Sequence, residues 1–234
     1  MTTQSCHPIE IRHFQLLSRI SSFTTFIADW PEAKKQGLRF NRGMNFGLIS
    51  LLDKGLLDNY EGFMLTTNDT VFENYTCADI FMDILEEHTK VGLLAPCGKS
   101  WGERHLLKDP TTKYFWFIHN SVYVLRKDFI RSLANYKCGI SNFLWDGNNF
   151  RGYGTEHELI AKAYANDWAA AITSEIFVSE NESFLLNKSD LIKTEPYDEN
   201  FKLYIEEGQE WMKEKYGFQN HWSMQKYAKS FYDD

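Results

Sequence analysis

The sequence has few cysteines, and none of them is paired at a spacing that supports cysteine chemistry. Cysteine occurs four times in 234 residues, at positions 6, 77, 97 and 138. No two of them are separated by two residues, which excludes the C-x-x-C arrangement of zinc knuckles and redox-active dithiols. We therefore expect reduced, partly buried thiols, as in a cytoplasmic protein.

Long apolar runs and an excess of basic residues are also missing. No segment approaches the ~18 consecutive apolar residues of a membrane-spanning helix, and the start of the chain lacks the charged and apolar regions of a signal peptide. The formal net charge is -7, so the basic footprint on which nucleic-acid binding rests is absent. The sequence predicts no transmembrane segment and no nucleic-acid partner. An acidic protein can still bind an anionic nucleotide if a metal ion or helix N-termini neutralise the charge of the nucleotide locally.

Two common catalytic signatures are absent as well. The sequence contains neither the G-x-S-x-G of serine hydrolases nor the H-E-x-x-H of zinc proteases. The hydrophobic content of 43% and the aromatic content of 16% are high enough for a sizeable core and argue against extensive disorder. A length of 234 residues fits one domain, or one domain with an appendage.

Strand-like and helix-like segments alternate along the chain, which predicts an α/β fold with a mostly parallel sheet. The aromatic segment 114–125 predicts an antiparallel insertion. Beyond residue 189 the chain becomes polar and charged. We therefore expect a domain over residues 1–188 and a helical C-terminal appendage, residues 189–234, packed on it. The predicted strands are 23–28, 38–40, 62–65, 91–95, 114–125 and 169–178, and the main predicted helices are 76–90, 128–133, 155–166 and 201–216.

The first candidate site is the polar cluster Thr67-Asn68-Asp69-Thr70, which follows a short apolar strand. Ligands of α/β proteins bind beyond the carboxyl ends of strands. Carboxylate, amide and hydroxyl oxygens are ligands that Mg²⁺ or Mn²⁺ prefers. The cluster therefore predicts a metal and diphosphate site. The alternative is an ordinary turn in which Asp69 hydrogen-bonds to the following backbone.

The second candidate site is the segment 152–159. Thr155 and Glu158 have the spacing of a capping box, with threonine as N-cap. Glu156 would then lie in the first turn of a helix, where it either stabilises the helix dipole or projects into a cleft as a general base. His157 is a weaker candidate for binding, because most histidines of this kind are satisfied within the fold or exposed.

A loop and a group of aromatic residues complete the candidates. Residues 41–47 are predicted as a loop between a strand and a helix, whose glycines allow close backbone approach and whose Arg42 would meet a phosphate. Trp116 and His119 belong to an aromatic group that would stack on a sugar ring. The alternative for most of these aromatic residues is the core.

In order, these segments resemble the donor half of GT-A fold glycosyltransferases, particularly family 2. Residues 41–47 match an N-x-G-x-N-x-G-like loop, and residues 63–70 match a strand that ends in an N-D-T form of the D-x-D motif. Residues 122–129, 154–159, 162–163 and 166–168 are similar to the later strand and helix segments of that family. The resemblance covers roughly residues 24–183, most of the chain.

The resemblance implies a GT-A-like (Rossmann-like) fold and the inverting transfer of a sugar from a nucleotide-diphosphate donor to a hydroxyl acceptor, as in polysaccharide biosynthesis. Glu156 would be the catalytic base, and Mn²⁺ or Mg²⁺ would be held by Asp69 with Glu180 as a second oxygen ligand. Substrate-binding residues would be Asp29, Asn41, Arg42, Asn45, Asn68, Trp116, His119 and His157.

The sequence departs from the family in ways that keep alternatives open. Residues 1–22 are too few and too polar to supply the family's first strand and helix, and Thr67 stands where many relatives have the first aspartate of D-x-D. A non-catalytic GT-A module that binds glycans or serves assembly is therefore an alternative. A nucleotidyltransferase would need a Gly-rich, Arg- or Lys-containing loop after its first strand, which the sequence lacks.

Overall fold

The described part of the chain contains both helices and strands, with short runs of strands between the helices. The computed structural model describes residues 40–66, 70–74, 76–99, 110–118, 121–149, 152–180 and 197–233. The helices are α1 (Phe40–Asp53), α2 (Cys77–Glu87), α3 (Lys127–Leu133), α4 (Thr155–Tyr164), α5 (Tyr197–Tyr216) and α6 (His221–Asp233). The strands are β1 (Gly62–Thr66), β2 (Thr70–Phe72), β3 (Val91–Gly98), β4 (Thr112–Tyr114), β5 (Val122–Arg126) and β6 (Ala169–Glu180).

The six strands form one mixed sheet in the order β1-β5-β3-β6-β2, and β4 also pairs with β6. The α/β prediction is confirmed, but a mostly parallel sheet is not. Among the described strands only β3 and β6 pair in parallel, and the other four pairings are antiparallel. The reason is β5, which lies between β1 and β3 and is antiparallel to both. The strands β1, β3 and β6 therefore point in the same direction, although β5 separates β1 from β3.

The sheet is strongly curved, as the short connection between its two end strands, β1 and β2, shows. These strands stand at opposite ends of the sheet order, about 19 Å apart if the sheet were flat. Four residue steps, from Thr66 to Thr70, span at most roughly 14 Å. The hydroxyl of Thr70 also donates a hydrogen bond of 3.3 Å to the carbonyl oxygen of Ser121, just before β5. The two ends of the sheet thus approach each other beside the start of β5.

The strand β3 is longer than predicted. Proline predicted that the strand ends at Ala95, but β3 continues to Gly98 and is buried throughout. Its pairing with β6 changes register after Pro96, which pairs with Thr173, while Cys97 pairs with Phe177. A proline lacks the N–H that a regular ladder needs, and a bulge is where a strand tolerates it. The predicted single strand over 114–125 is likewise replaced by the separate strands β4 and β5.

Residues 41–47 are helical, so the prediction of a loop there was wrong. They belong to α1, whose buried face carries Met44, Leu48 and Leu51 at helical spacing. Glycine and asparagine are poor helix formers in isolation. Tertiary packing of this apolar face outweighs that preference, as it commonly does.

The C-terminal helices share the core of the sheet domain. Met212 of α5 and Met224 and Ala228 of α6 are buried in the same cluster as Trp145 and Leu159. The predicted boundary near residue 188 lies outside the described residues. Within the described ranges, no helix has the length and apolar character needed to cross a membrane.

Candidate functional site

Four consecutive polar residues are buried at the start of α4. Thr155, Glu156, His157 and Glu158 are each at most 6% exposed. The predicted capping box is wrong in detail, because Gly154 occupies the N-cap position with a φ of 73° and no side-chain cap. A positive φ is tolerated by glycine far better than by other residues. The first turn of α4 therefore carries its polar side chains into the interior.

The charge of Glu156 affects a buried tyrosine on β5. Its carboxylate acts on the hydroxyl of the fully buried Tyr123, whose pKa is raised first by burial and then by the charge of Glu156. Tyr123 is on β5 and pairs directly with Leu65 of β1. Paired residues of antiparallel strands have Cα atoms about 5 Å apart. Glu156 therefore influences a residue of β5 whose backbone neighbour in the sheet belongs to β1.

His157 joins Glu156 to the last helix. Its Nδ1 lies 2.7 Å from Glu156 Oε1, and its Nε2 is contacted by the side-chain amide nitrogen of Gln225 on α6. The rings of His157 and His221 have centroids 5.5 Å apart. Burial, and then the neighbouring His157, lower the pKa of His221 to about 4, against the opposing influence of Glu156. His157 was predicted to bind substrate, and the contacts described here are made within the fold.

Three side chains contact the same carboxylate oxygen of Glu158. Oε1 lies 3.1 Å from Lys162 Nζ and 3.0 Å from Lys215 Nζ, and it also accepts a hydrogen bond from the Tyr216 hydroxyl. Burial and the Glu158 carboxylate raise the pKa of Tyr216. Two ammonium groups and a phenol compensate this buried charge and attach α5 to α4.

Lys215 also binds Asp146, which the sequence analysis did not identify. Its Nζ lies 2.8 Å from Asp146 Oδ2, and the Trp211 indole N–H donates to the same oxygen at 3.0 Å. Burial acts to raise the pKa of Asp146. The hydrogen bonds from Lys215, Trp211 and the backbone N–H of Asn148 outweigh it, so that the pKa is lowered. The loop before α4 is therefore tied to α5 through a shared lysine.

Asn45, predicted to bind substrate, makes four hydrogen bonds to one loop. Its amide donates to the carbonyl oxygens of Ile140 and Trp145, and its Oδ1 accepts from the backbone N–H groups of Leu144 and Trp145. These contacts use the two donors and two lone pairs of the side chain. Asn45 therefore fixes the loop that precedes α4.

Asn41 and Arg42 contact the same region. The Asn41 amide donates to the carbonyl oxygen of Asp146 at 2.8 Å, and its Oδ1 accepts from the Thr155 hydroxyl at 2.9 Å. Arg42 Nε donates to the carbonyl oxygen of Gly147 at 2.9 Å. In the described contacts these residues stabilise the position of α4, and substrate binding by them stays a prediction.

The structure locates only some of the other predicted residues. Trp116 is half-buried, stacks on Phe115 and lies under the Lys229 ammonium, 5.1 Å from its ring centroid. The residues Asp29, Asn68, Asp69 and His119 lie outside the described residues. Glu180 ends β6, and its backbone pairs with Thr70, the residue that follows Asp69 in the chain.

The described residues contain no ready-made metal site. Within them, no group of three or more His, Cys, Asp or Glu side chains is arranged to hold a metal ion. Carboxylates from Asp69 and Glu180 would be suitable hard ligands for Mg²⁺ or Mn²⁺. The Thr70–Glu180 pairing brings the backbone of Glu180 beside the residue that follows Asp69. The metal assignment stays a prediction that this pairing favours.

Sequence reasoning missed the residues that surround Glu156 and Glu158. His221 and Gln225 are four residues apart and therefore share one face of α6. That spacing is visible in the sequence, but it does not reveal that the face meets His157. Tyr123 looked like an ordinary strand aromatic residue, and only the packing shows its closeness to Glu156.

Comparison of the chain with models of known protein families finds no match, and comparison with curated protein sequences finds none either.

Proposed function

We propose that this protein is a glycosyltransferase that transfers a sugar from a nucleotide-diphosphate donor to a hydroxyl acceptor. The observation that supports the proposal is the buried carboxylate of Glu156 at the start of α4, whose charge helps to raise the pKa of Tyr123 on β5, the strand that pairs with β1. Glu156 and the segment Thr67–Thr70, which the family resemblance assigns as base and donor site, are more than eighty positions apart in the sequence.

Strand directions support the same assignment. Because β1, β3 and β6 run in one direction, their carboxyl ends lie at one edge of the sheet. The helix α4 leads into β6, so the start of α4 lies toward that edge when helix and strand run antiparallel. Ligands of open α/β sheets bind outside the carboxyl ends of strands.

In the proposed reaction, the acceptor hydroxyl attacks the anomeric carbon opposite the diphosphate. The new C–O bond forms while the bond to the diphosphate breaks, and the electron pair leaves with the diphosphate oxygen. Glu156 takes the proton of the hydroxyl, which is general-base catalysis. A divalent cation on Asp69 and Glu180, when bound, would neutralise the charge of the leaving diphosphate.

Donor binding is tested by thermal unfolding of the full chain with UDP, GDP and dTDP, each with and without Mn²⁺. A ligand that binds only the folded state raises its stability, so we expect a higher Tm with at least one nucleotide and a larger rise when Mn²⁺ is present. The variant D69N is the matched control, and its Tm should not rise further when Mn²⁺ is added to the nucleotide. Absence of any shift across the panel would refute the donor site.

One observation favours the non-catalytic alternative. Glu156 is only 6% exposed and contacts His157, so little of its carboxylate is accessible to an acceptor. A module that only binds glycans would bind to a glycan array. It would release no nucleoside diphosphate from any nucleotide-sugar donor. Release of nucleoside diphosphate that depends on an acceptor would exclude this alternative.

A further inference from the structure

We infer that the exposed side of α6 around Trp222 binds an acidic glycan, and that this glycan is the acceptor of the proposed reaction. The inference rests on the proposed function, because it names the class of acceptor for the same site. The residues involved are Trp222, Lys226 and Lys229 of α6 and Trp116 of the segment that follows β4. We call them the Trp222 surface.

Trp222 is exposed on a helix whose apolar side is already buried. It is 59% exposed, more than any other large hydrophobic residue of the described ranges, whereas Met224 and Ala228 are 1% exposed. A single exposed apolar residue is ordinary on a protein surface, but aromatic residues are enriched where proteins bind partners. The surroundings of Trp222 therefore decide what its exposure indicates.

Two lysines give this surface a positive charge. Lys226 and Lys229 follow Trp222 at i+4 and i+7, a spacing that places the three residues on one side of a helix. The Lys229 ammonium lies 5.1 Å from the ring centroid of Trp116, which brings a second indole to the same surface. Indole faces stack on the apolar faces of sugar rings, and ammonium groups bind carboxylate, sulfate or phosphate. On a chain with a net charge of -7, a surface of this kind selects an anionic sugar chain.

Two ring contacts join the Trp222 surface to the candidate base. The ring centroids of Trp222 and His221 are 4.4 Å apart, and those of His221 and His157 are 5.5 Å apart. His157 is the neighbour of Glu156 in the chain, and among the described residues its buried Nδ1 has no hydrogen-bond partner. Buried polar atoms are usually paired with protein or water, and a sugar hydroxyl can satisfy such an atom. A glycan on Trp222 would thus end beside the base.

An anionic membrane surface is the competing occupant, and the helix fits it less well. A helix that lies in a membrane interface inserts its apolar face into the lipid. In α6 the apolar residues Met224 and Ala228 are buried in the core of the domain. The exposed side that carries Trp222 also carries Lys226 and Ser230, which are polar. Isolated aromatic rings among polar groups suit a sugar chain better than a lipid layer.

Binding is tested with the full chain on oligosaccharides that carry carboxylate, sulfate or phosphate groups, each paired with the neutral oligosaccharide of the same backbone. We expect the wild type to bind at least one acidic member about tenfold more tightly than its neutral counterpart. Vesicles of phosphatidylglycerol are measured alongside. Absence of binding to every acidic member, equal binding to both members of every pair, or binding to the vesicles alone would overturn the inference.

Substitutions test the location of the site. W222A should weaken binding of the acidic oligosaccharide about tenfold, whereas W222F keeps an aromatic face and should lose less than about threefold. The double variant K226Q/K229Q should lose the preference for the acidic member. Y227A is the matched control, because Tyr227 is a 41% exposed aromatic residue five positions further along α6, on a different side of the helix. Equal losses in W222A and Y227A, with unchanged Tm values, would refute the site.

Transfer kinetics separate the inference from the proposed function. We expect W222A to raise the KM for the acidic acceptor about tenfold and to leave the donor KM within about threefold of the wild type. If the wild type binds the acidic glycan through Trp222 but transfers no sugar, the proposed function fails and the binding surface stands. If the wild type transfers sugar and W222A has an unchanged acceptor KM, the binding surface is refuted and the proposed function stands.

Discussion

Two buried carboxylates, Glu156 and Glu158, lie two residues apart on α4 and have opposite surroundings. Glu158 is contacted by two lysines and a tyrosine hydroxyl. Glu156 is contacted by the imidazole of His157 and lies near the hydroxyl of Tyr123. The same residue type on the same helix turn is thus paired with lysine ammonium groups in one case and with an imidazole in the other.

The difference indicates which carboxylate is structural and which is available for chemistry. A buried charge with hydrogen-bonded cationic partners is typical of a structural pair, and removal of one partner is costly. A buried carboxylate with few charged partners is more typical of a functional site. The comparison predicts that Glu158 maintains the fold and that Glu156 carries out the reaction.

The largest expected effect is on activity in E156Q. Glutamine keeps the size of the side chain and removes the proton acceptor, so we expect the transfer rate to fall about 10²- to 10⁴-fold. Nucleotide binding should be retained, as measured by calorimetry with the nucleoside diphosphate and Mn²⁺. A variant with the wild-type rate would remove Glu156 from the mechanism.

The next largest effect is on stability in E158Q. This variant removes the buried carboxylate that Lys162 and Lys215 share and leaves Lys215 with Asp146 alone. We expect the free energy of unfolding to fall by about 3 kcal/mol. Urea unfolding monitored by fluorescence measures it. E156Q is the matched control and should lose less than about 1 kcal/mol. Equal losses of stability in both variants would contradict the claim that Glu158, and not Glu156, has the structural role.

A smaller effect concerns pH and His221. Its folded pKa of about 4 lies below the unfolded value of about 6.5, so the unfolded chain binds the proton more readily. The stability from this residue is fully present above pH 6.5 and is lost as the pH falls toward 4. Between pH 7 and pH 5 we expect a loss of about 2 kcal/mol.

The variant H221Q isolates this contribution. Between pH 7 and pH 5, the free energy of unfolding of H221Q should fall by about 2 kcal/mol less than that of the wild type. Urea titrations of both proteins at the two pH values provide the comparison. Parallel pH dependences would show that His221 is not neutral in the folded protein.

The smallest effect is expected for G154A. Gly154 has a φ of 73°, and a Cβ there would also meet the methyl group of Met212. Alanine is disfavoured at a positive φ, so we expect the free energy of unfolding to fall by about 1 to 2 kcal/mol. The variant G139A is the control, because Gly139 has a φ of 54° with no atom near its Cβ position. A loss in G154A no larger than in G139A would assign the whole effect to backbone strain.

The sequence predicted the elements better than their arrangement. The strand at Ala169–Glu180 and the helix at Thr155–Tyr164 follow from local patterns. The first part of α1, residues 41–47, was predicted as a loop because its asparagines and glycines are typical of turns, and only the following part was predicted as helix. The hydrogen bonds of Asn41 and Asn45 go to a loop about a hundred positions away. Such long-range contacts leave no periodic signal.

The candidate site shows the same limit. Glu156 was identified from its place at a helix start and from the family resemblance, both of which are features of the sequence. Its contact with His157 and the approach of Gln225 depend on how α6 packs against α4. The capping box failed because Thr155 donates to Asn41 and Gly154 takes the N-cap position.

The most direct test is the release of nucleoside diphosphate by the wild type, E156Q and E158Q. It uses UDP-, GDP- and dTDP-sugars with Mn²⁺ and a panel of sugar acceptors, at a temperature where all three proteins are folded. We predict acceptor-dependent release by the wild type, a loss of at least about 100-fold in E156Q, and a rate within about threefold of wild type in E158Q. Release by E156Q at the wild-type rate, or no release by the wild type with any donor, would contradict the account.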